Sequence, residues 1–478
     1  MTQFLDPLDS AFVLLEVAGS AMNIGAVIEL EPGEPSDAEK RFELIRDNVA
    51  SRIHEIPIFT QRLVRAPFDM TWPILVPEER FDIDRHVVRV VVPSPGSPQQ
   101  FDALVSEFFS RPLIPSRPLW QLLVIEGLQG GHAALALKVH HALADGVSGA
   151  EAFANLFDIS PEVRDPAPLN EPEDGAAAVV TSSMGLLRQG LGKIRRHPAI
   201  IIESVRSWVA RSYETVRAVF RVAVDRGRHR SASDQPSIFE ARRTSLNGAA
   251  GVEKTFHRVR VPLADVKRAA KSRGASVTDF VMATSSGALR RLLDDRGEAL
   301  RKDLVAFVPI NVRKEGALSD LGNQISGMLV RLHTDIKDPE ERLAAIAKDS
   351  RATVSNQREH NAKVLQNIPR VLGPMALSFG GKMVSAFELM NRLPPIANLM
   401  VSSVPGPPIP LWMSGYRVAS AAPVGPLIGS ISLNITVLGF EENLEFGLLG
   451  CADQMPDLAT LRDYILEEAN ELIAATPH

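Results

Sequence analysis

The sequence predicts a mixed α/β protein built in two halves, and three observations carry that expectation. Apolar runs short enough to be strands alternate with stretches whose apolar residues recur at helical spacing. Two strand-like runs, Gln121 to Leu128 and His132 to Val139, are separated by Gln129-Gly130-Gly131, a strong hairpin signal. A stretch rich in proline and acid, Pro161 to Asp174, interrupts the chain as a domain boundary would. The 478 residues, 45% hydrophobic and 23% charged, have ordinary globular composition and are enough for two or more domains.

Composition also narrows the partners. A net charge of -5 argues against a nucleic-acid footprint over the whole chain. The single cysteine, Cys451, excludes an internal disulfide framework and a cysteine-based metal cage, and a reducing cytoplasm fits. The N-terminal Met-Thr-Gln-Phe-Leu-Asp-Pro-Leu-Asp lacks the basic start and apolar core of a signal peptide. No run approaches the roughly 18 unbroken apolar residues of a spanning helix, so any membrane contact is expected to be peripheral.

Taken in order, the chain opens with Pro7, Leu8, Asp9, Phe12 and Glu16, then Met22-Asn23-Ile24-Gly25 and a short strand over Ala26 to Leu30. An amphipathic helix candidate follows between Asp37 and Val64, leading into Ile56-Pro57-Ile58-Phe59. Next come Trp72-Pro73, Phe81-Asp82 and His86-Val87, where His86 reads as a partly buried structural residue or as the lining of a channel. Gln100 to Phe109 has helical spacing. Arg117-Pro118-Leu119-Trp120 then stiffens the approach to the hairpin, and Trp120 suits core packing or the wall of an apolar tunnel. Val147 to Phe157 is expected to continue as a helix.

Between the halves, Val205, Trp208, Val209, Val216, Val219, Phe220 and Ala223 form one apolar stripe opposite Arg206, Arg211, Arg217 and Arg221. A helix of that kind over 199–224 suits an anionic lipid surface or a crossover buried against protein. The second half brings Thr244 to Gly248, a strand over Phe256 to Val261, and a helix over Leu263 to Ser272. A further helix from Thr278 to Leu293 is led by Thr278-Asp279, where Thr278 reads as a hydrogen-bond donor to a ligand or as an N-cap. A strand over Asp303 to Val312 is followed by Leu321-Gly322-Asn323, a turn or a close backbone approach to a ligand. After a long helix from Pro339 to Gln366 come Val404-Pro405-Gly406, strands over Ile428 to Val437 and Leu444 to Leu449, and a helix over Asp457 to Ala475.

The chemistry concentrates in Val139 to Ser148, which reads Val-His-His-Ala-Leu-Ala-Asp-Gly-Val-Ser. An unperturbed imidazole pKa of about 6.5 lets histidine take a proton from a hydroxyl near neutrality. Asp145 lies four positions beyond His141, and Gly146 permits a positive φ, so a tight strand-to-helix loop is expected. A buried structural role competes for either histidine taken singly. A metal site is the weaker reading, because adjacent residues on an extended segment point to opposite faces and no His-Glu-x-x-His run is present.

His140, His141, Asp145 and Gly146 match the HHxxxDG signature of coenzyme A-dependent acyltransferases of the chloramphenicol acetyltransferase-like superfamily. Within it, the PLDxxF-like, PLW, TxLNG, VPxxxR, GN and VPGP elements make the chain resemble the bacterial wax ester synthase/diacylglycerol acyltransferase family. Asn23 stands where that family has histidine, Thr278 where it has asparagine, Ser403 where it has asparagine, and Leu438-Gly439 where it often has Ser-Tyr.

The resemblance implies two α/β lobes of mixed sheet and helices with a channel between them: residues 1–160, a linker over 161–235, and 236–478. It implies His141 as general base, Asp145 as a structural acid beside His140, and substrate contacts from Gly146, Trp120, Thr278 and Asn323. The implied reaction moves an acyl group from long-chain acyl-CoA to diacylglycerol or a fatty alcohol, with no cofactor, metal or nucleic acid. The implied location is cytoplasmic, with peripheral contact to the inner membrane face or lipid droplets. Two rivals stay open: a catalytically weak lipid-binding member of the fold, and a condensation-type enzyme.

Overall fold

In a computed structural model of the chain, the residues described are 3–16, 21–32, 38–143, 155–165, 236, 240–249, 251–298, 303–311, 325–357, 373–383, 389–392 and 394–476. Two six-stranded sheets organise them. The first is built from β2 (Asn23–Leu30), β5 (Val87–Val91), β6 (Trp120–Glu126), β7 (Ala133–His140), β12 (Trp412–Met413) and β13 (Tyr416–Val424), in the order β12-β13-β2-β7-β6-β5. The second contains β8 (Lys254–Pro262), β9 (Val305–Asn311), β10 (Ile325–Arg331), β11 (Leu399–Val404), β14 (Leu433–Phe440) and β15 (Asn443–Cys451), ordered β10-β9-β11-β14-β15-β8. A small third sheet joins β1 (Gln3–Phe4), β3 (Gln61–Val64) and β4 (Ile74–Pro77).

The hairpin read from Gln129-Gly130-Gly131 forms as expected, with β6 and β7 antiparallel and Trp120 paired to Val139. Its glycines turn the chain at φ of +81° and +78°, conformations that favour glycine. Every residue of β7 is buried, because the strand lies between β2 and β6 in the middle of the sheet and is covered on both faces. On one face Leu135, Leu137 and Val139 pack with Trp120, Leu122 and Val124. On the other, Ala134 and Ala136 pack with Leu123, Ile125 and a helix, α3 (Pro98–Ser110).

Ser97 and Gln100 close α3 with a reciprocal capping box behind Pro98, and Phe101, Val105, Phe108 and Phe109 form its inward stripe. The helix also ties the lobes together. Strand β8 ends the second sheet, and α3 meets its backbone: Phe256 N–H donates to Ser106 Oγ at 2.9 Å and Lys254 N–H to Ser110 Oγ at 2.8 Å. His257 and Asp102 add a 2.7 Å contact. An edge whose N–H groups are occupied in this way is protected from pairing with another chain.

The second sheet is backed by α5 (Val277–Asp295), α6 (Pro339–Gln357) and α7 (Leu458–Ala474), which share one apolar core with α4 (Leu263–Ser272). Residues 412–424 belong to the first sheet although they lie in the second half of the chain; β13 pairs along β2, Ala422 opposite Val27. A division at residue 236 therefore separates chain segments, and the first sheet needs strands from both.

Several local expectations shift. The strand expected over Ile428 to Val437 runs instead from Leu433 to Phe440, because Leu427 to Ile431 serve as the connection from β13. The helix expected to reach Phe157 does not, since 155–157 is a turn that delivers Asp158 to a bridge with Trp412. The basic amphipathic helix expected over 199–224 lies outside the described residues, as do Asp145, Gly146 and Asn323.

Candidate active site

Strand β7 ends at His140, and both histidines of the motif are buried there. Their backbones are pinned by the neighbours of β7. His140 N–H donates to Leu119 O at 3.0 Å, and His141 N–H donates to Met22 O at 2.7 Å, the residue just before β2. The turn is closed by Leu143 N–H donating to His140 O at 3.0 Å.

The two rings have different surroundings. Nδ1 of His140 accepts from Ala142 N–H at 3.1 Å, so a neutral ring carries its proton on Nε2, which faces Glu16 Oε2 at 3.3 Å. The turn thereby selects the tautomer of His140. The ring of His141 instead stacks on Phe12 from α1 (Pro7–Leu14), with centroids 4.3 Å apart and planes at 23°. Stacking and the backbone bond to Met22 both restrict where this imidazole can point.

Asn23 begins β2 and is the register partner of His140. Residues directly opposite in an antiparallel pair share a face. Two positions earlier on β7, Lys138 occupies that face, where Nζ donates to Phe108 O at 2.6 Å and Arg111 O at 2.7 Å and satisfies the end of α3. Burial, helped by the Arg111 guanidinium, pulls its ammonium down to about 7.

This end of the first sheet lies beside the second. The last residue of β13, Val424, pairs with Gly25. At the next position, Gly425, an added Cβ would come within 2.5 Å of Asn434 Nδ2 and Thr436 Oγ1 of β14. The histidine pair thus stands at the end of the first sheet that meets the second lobe, two strands in from the β13 contact.

Other residues singled out from sequence are placed differently. Trp120 is a core side chain stacked between Phe59 and His86, its indole N–H donating to Phe59 O at 2.8 Å. His86 is buried between Phe81 and Trp120 with Nδ1 on Trp120 O at 2.9 Å, and burial lowers its pKa. Both therefore resolve toward packing. Thr278 is not an N-cap: Ser276 fills that position, in a reciprocal box with Asp279, and Thr278 sits two residues in. Asn247 of the Leu-Asn-Gly element holds Ala397 O and Ser430 O at 3.0 and 3.1 Å, which joins three loops of the second lobe. Among the described residues, the group with metal-ligand spacing is Asp303, His333 and Asp335, and neither motif histidine belongs to it.

Sequence reasoning had no means of assigning a task to Phe12 or Glu16. The PLDxxF-like element marks Phe12 by resemblance, but the contacts of Phe12 with His141 and of Glu16 with His140 join segments more than a hundred residues apart and have no local mark.

Residues 5–281 match the family described as the wax ester synthase/diacylglycerol acyltransferase catalytic domain, and 321–473 match its C-terminal domain. A putative diacylglycerol O-acyltransferase of Mycobacterium tuberculosis is 30% identical over 484 residues, covering 98% of this chain and 90% of that one. The O-acyltransferase WSD of Acinetobacter baylyi is 27% identical, over 97% and 95% of the two chains. Among solved structures, the wax ester synthase/diacylglycerol acyltransferase of Marinobacter aquaeolei VT8 aligns with a TM-score of 0.69 at 24% identity over 99% of each chain. The first condensation domain of the calcium-dependent antibiotic synthetase shares the fold with a TM-score of 0.56 at 16% identity, over 100% and 98%.

Proposed function

We propose, for a chain that belongs to the wax ester synthase/diacylglycerol acyltransferase family and is an acyltransferase, that it esterifies the hydroxyl of diacylglycerol with the acyl group of a long-chain acyl-CoA. Fatty alcohols are a second acceptor class, since they present the same hydroxyl on an apolar tail. His141 is the general base. The observation that carries this reading is the His140–His141 pair buried at the lobe junction, with one ring engaged by Glu16 and Ala142 and the other stacked on Phe12.

In the proposed step His141 removes the hydroxyl proton as the oxygen attacks the thioester carbonyl. The tetrahedral adduct collapses by breaking its carbon–sulfur bond, and the departing thiolate takes the proton back from the imidazolium. Products are the ester and free coenzyme A, with no covalent enzyme intermediate and no cofactor. Asp145 is assigned to holding the loop after β7, and His140 to orienting it through the bond to Ala142. A positioned base supplies about 10² to 10⁴ in rate, and alignment of two bound substrates supplies much of the rest.

The test is a panel of diacylglycerols and fatty alcohols offered with one radiolabelled acyl-CoA to wild type and His141→Ala. Transfer to diacylglycerol should fall about 10² to 10⁴-fold in the variant. Equal rates with every acceptor would remove the base assignment, and binding without turnover in wild type would favour a lipid-binding role.

Such substrates lie in lipid, and we place the protein peripherally on an anionic membrane or droplet surface. No helix among the described residues is long and apolar enough to cross a membrane. Phe68 is 84% exposed and Phe379 is 65% exposed; Ser378 Oγ donates to Asp69 at 2.5 Å and so holds the two segments together. Met70, Met375 and Leu15 are also exposed, and Lys382 reaches 4.0 Å from Asp69. Apolar side chains beside a lysine suit an anionic interface. Phe68→Ser with Phe379→Ser should lower flotation with phosphatidylserine vesicles, with Trp208→Ser/Phe220→Ser as the parallel test of the 199–224 stripe. If both pairs float like wild type, the peripheral placement fails.

A further inference from the structure

We infer that Phe12 is a positioning residue for the base: its ring face holds the His141 imidazole in one orientation and stabilises the imidazolium that forms as the hydroxyl proton is taken. The inference rests on His141 being the base. The contact is direct. The two rings are stacked with centroids 4.3 Å apart and planes at 23°. His141 is 7% exposed, so the stack is made largely out of water.

Phe12 is itself held by its helix. Asp6 caps α1 by accepting from Leu8 N–H at 2.9 Å, and the buried Ala11 and Leu14 pack on Leu377. The helical stretch over 373–383 comes close there, since a Cβ on Gly381 would lie 3.3 Å from Leu14 O and Leu15 Cα. From this fixed support Phe12 and Glu16, four residues apart, meet the two motif histidines: Phe12 stacks on His141, and Glu16 lies 3.3 Å from His140 Nε2.

Two effects of the phenyl ring compete at a titrating imidazole. Covering one face removes water, which disfavours the charged form. The negative face of the aromatic quadrupole attracts a cation, which favours it. An aliphatic side chain of similar bulk covers the same face without the quadrupole, so exchange of Phe for Leu isolates the second effect. Only interactions that strengthen in the transition state accelerate a reaction. This one does, because the base is neutral before proton removal and cationic after it. A cation against a ring face accounts for about 2- to 30-fold in rate. The other titratable groups on the two elements that form the contact are Asp6, Asp9 and Glu16 in and beside α1, and Lys138 and His140 on β7. All are kept in every Phe12 variant, so a difference between variants reads the ring.

The measurement is the pH profile of kcat/KM, with kcat, KM and Tm, for full-length wild type, Phe12→Leu, Phe12→Met, Phe12→Tyr and His141→Ala. In Phe12→Leu the acid limb should move to lower pH by about 0.4 to 1.5 units, because the imidazolium has lost a stabilising face. On the plateau kcat should fall about 2- to 30-fold with KM within about twofold. Phe12→Met, also apolar and without a ring, should match Phe12→Leu. Phe12→Tyr keeps a ring face and should keep the wild-type limb and most of the rate. A role in packing alone predicts an unmoved limb and a rate that falls in step with Tm. A limb that stays in place or moves to higher pH in the Leu and Met variants overturns the inference, as does a Tyr variant that behaves like them. If His141→Ala is inactive while the Leu and Met limbs coincide with wild type, the inference fails and the base assignment stands. If His141→Ala transfers like wild type, both fail.

Discussion

Two regions bury polar side chains, and they treat them in opposite ways. In the second lobe Arg342, 0% exposed, donates to Ala283 O at 3.1 Å, Ile336 O at 3.0 Å and Lys337 O at 3.2 Å, and pairs with the buried Glu468. Gly287 makes room for the pair, since a Cβ there would lie 2.0 Å from Glu468 Oε2. Burial pushes the Glu468 carboxyl up and the Arg342 guanidinium down, yet the ions remain engaged by one another and by the carbonyls. At the end of the first sheet Asn23 is buried to a similar degree with no such set of partners. A buried polar group whose bonds are met is architecture, joining α5, α6 and α7. The unmet amide of Asn23 fastens no elements together.

The largest effect is expected in the second lobe. Glu468→Ala leaves the Arg342 charge buried with carbonyls alone, and should lower stability by about 3–5 kcal/mol, read as a shift of the urea midpoint with unchanged slope. A loss below about 1 kcal/mol would mean that the pair behaves like a surface bridge and is not what fastens these helices.

Lys138 sharpens the contrast close to the site, because it shares the face of Asn23 yet has its bonds met. Its ammonium titrates at about 7 in the folded chain against 10.5 for an ordinary lysine. Between those values the unfolded chain binds more protons than the folded one, so this group makes stability rise with pH there, and its contribution is lost as pH falls from 10.5 toward 7. Lys138→Met should flatten that rise by up to about 1.4 kcal/mol per pH unit. Urea midpoints at a series of pH values from neutral upward check it, and parallel curves for the two proteins would count against the assignment. The smallest effect on stability is expected at Asn23 itself, where Asn23→Leu should be neutral or stabilise by about 1–2 kcal/mol; a clear destabilisation would put Asn23 in the same class as Arg342.

Much of this was legible locally. The β6–β7 hairpin, the helices over 263–272, 277–295 and 458–474, and the arrival of His140 and His141 at a strand end all follow from period and turn residues within about twenty positions. Thr278 reads from sequence as a ligand donor or a cap of α5, because Ser276 and Thr278 are both competent caps; the backbone angles of Ser276 give the cap to Ser276. In sequence the large apolar face of Trp120 suits core or tunnel equally; in the structure it stacks with Phe59 and His86 in the core. The transfer of 412–424 into the first sheet had no local mark at all, because strand period does not reveal which sheet will accept the edge.

Hydrophobic period, turn residues and residue type reveal the kind of most described elements, the two-part organisation and the histidine pair of the HHxxxDG motif. These are short-range matters. Only the tertiary structure decided that α3 covers the edge of β8, that Phe12 stacks on His141, that Glu16 reaches His140, and that Asn23 is buried with its amide unmet. Each is a contact between segments far apart in the chain, and whether a polar group finds a partner depends on what folding brings beside it.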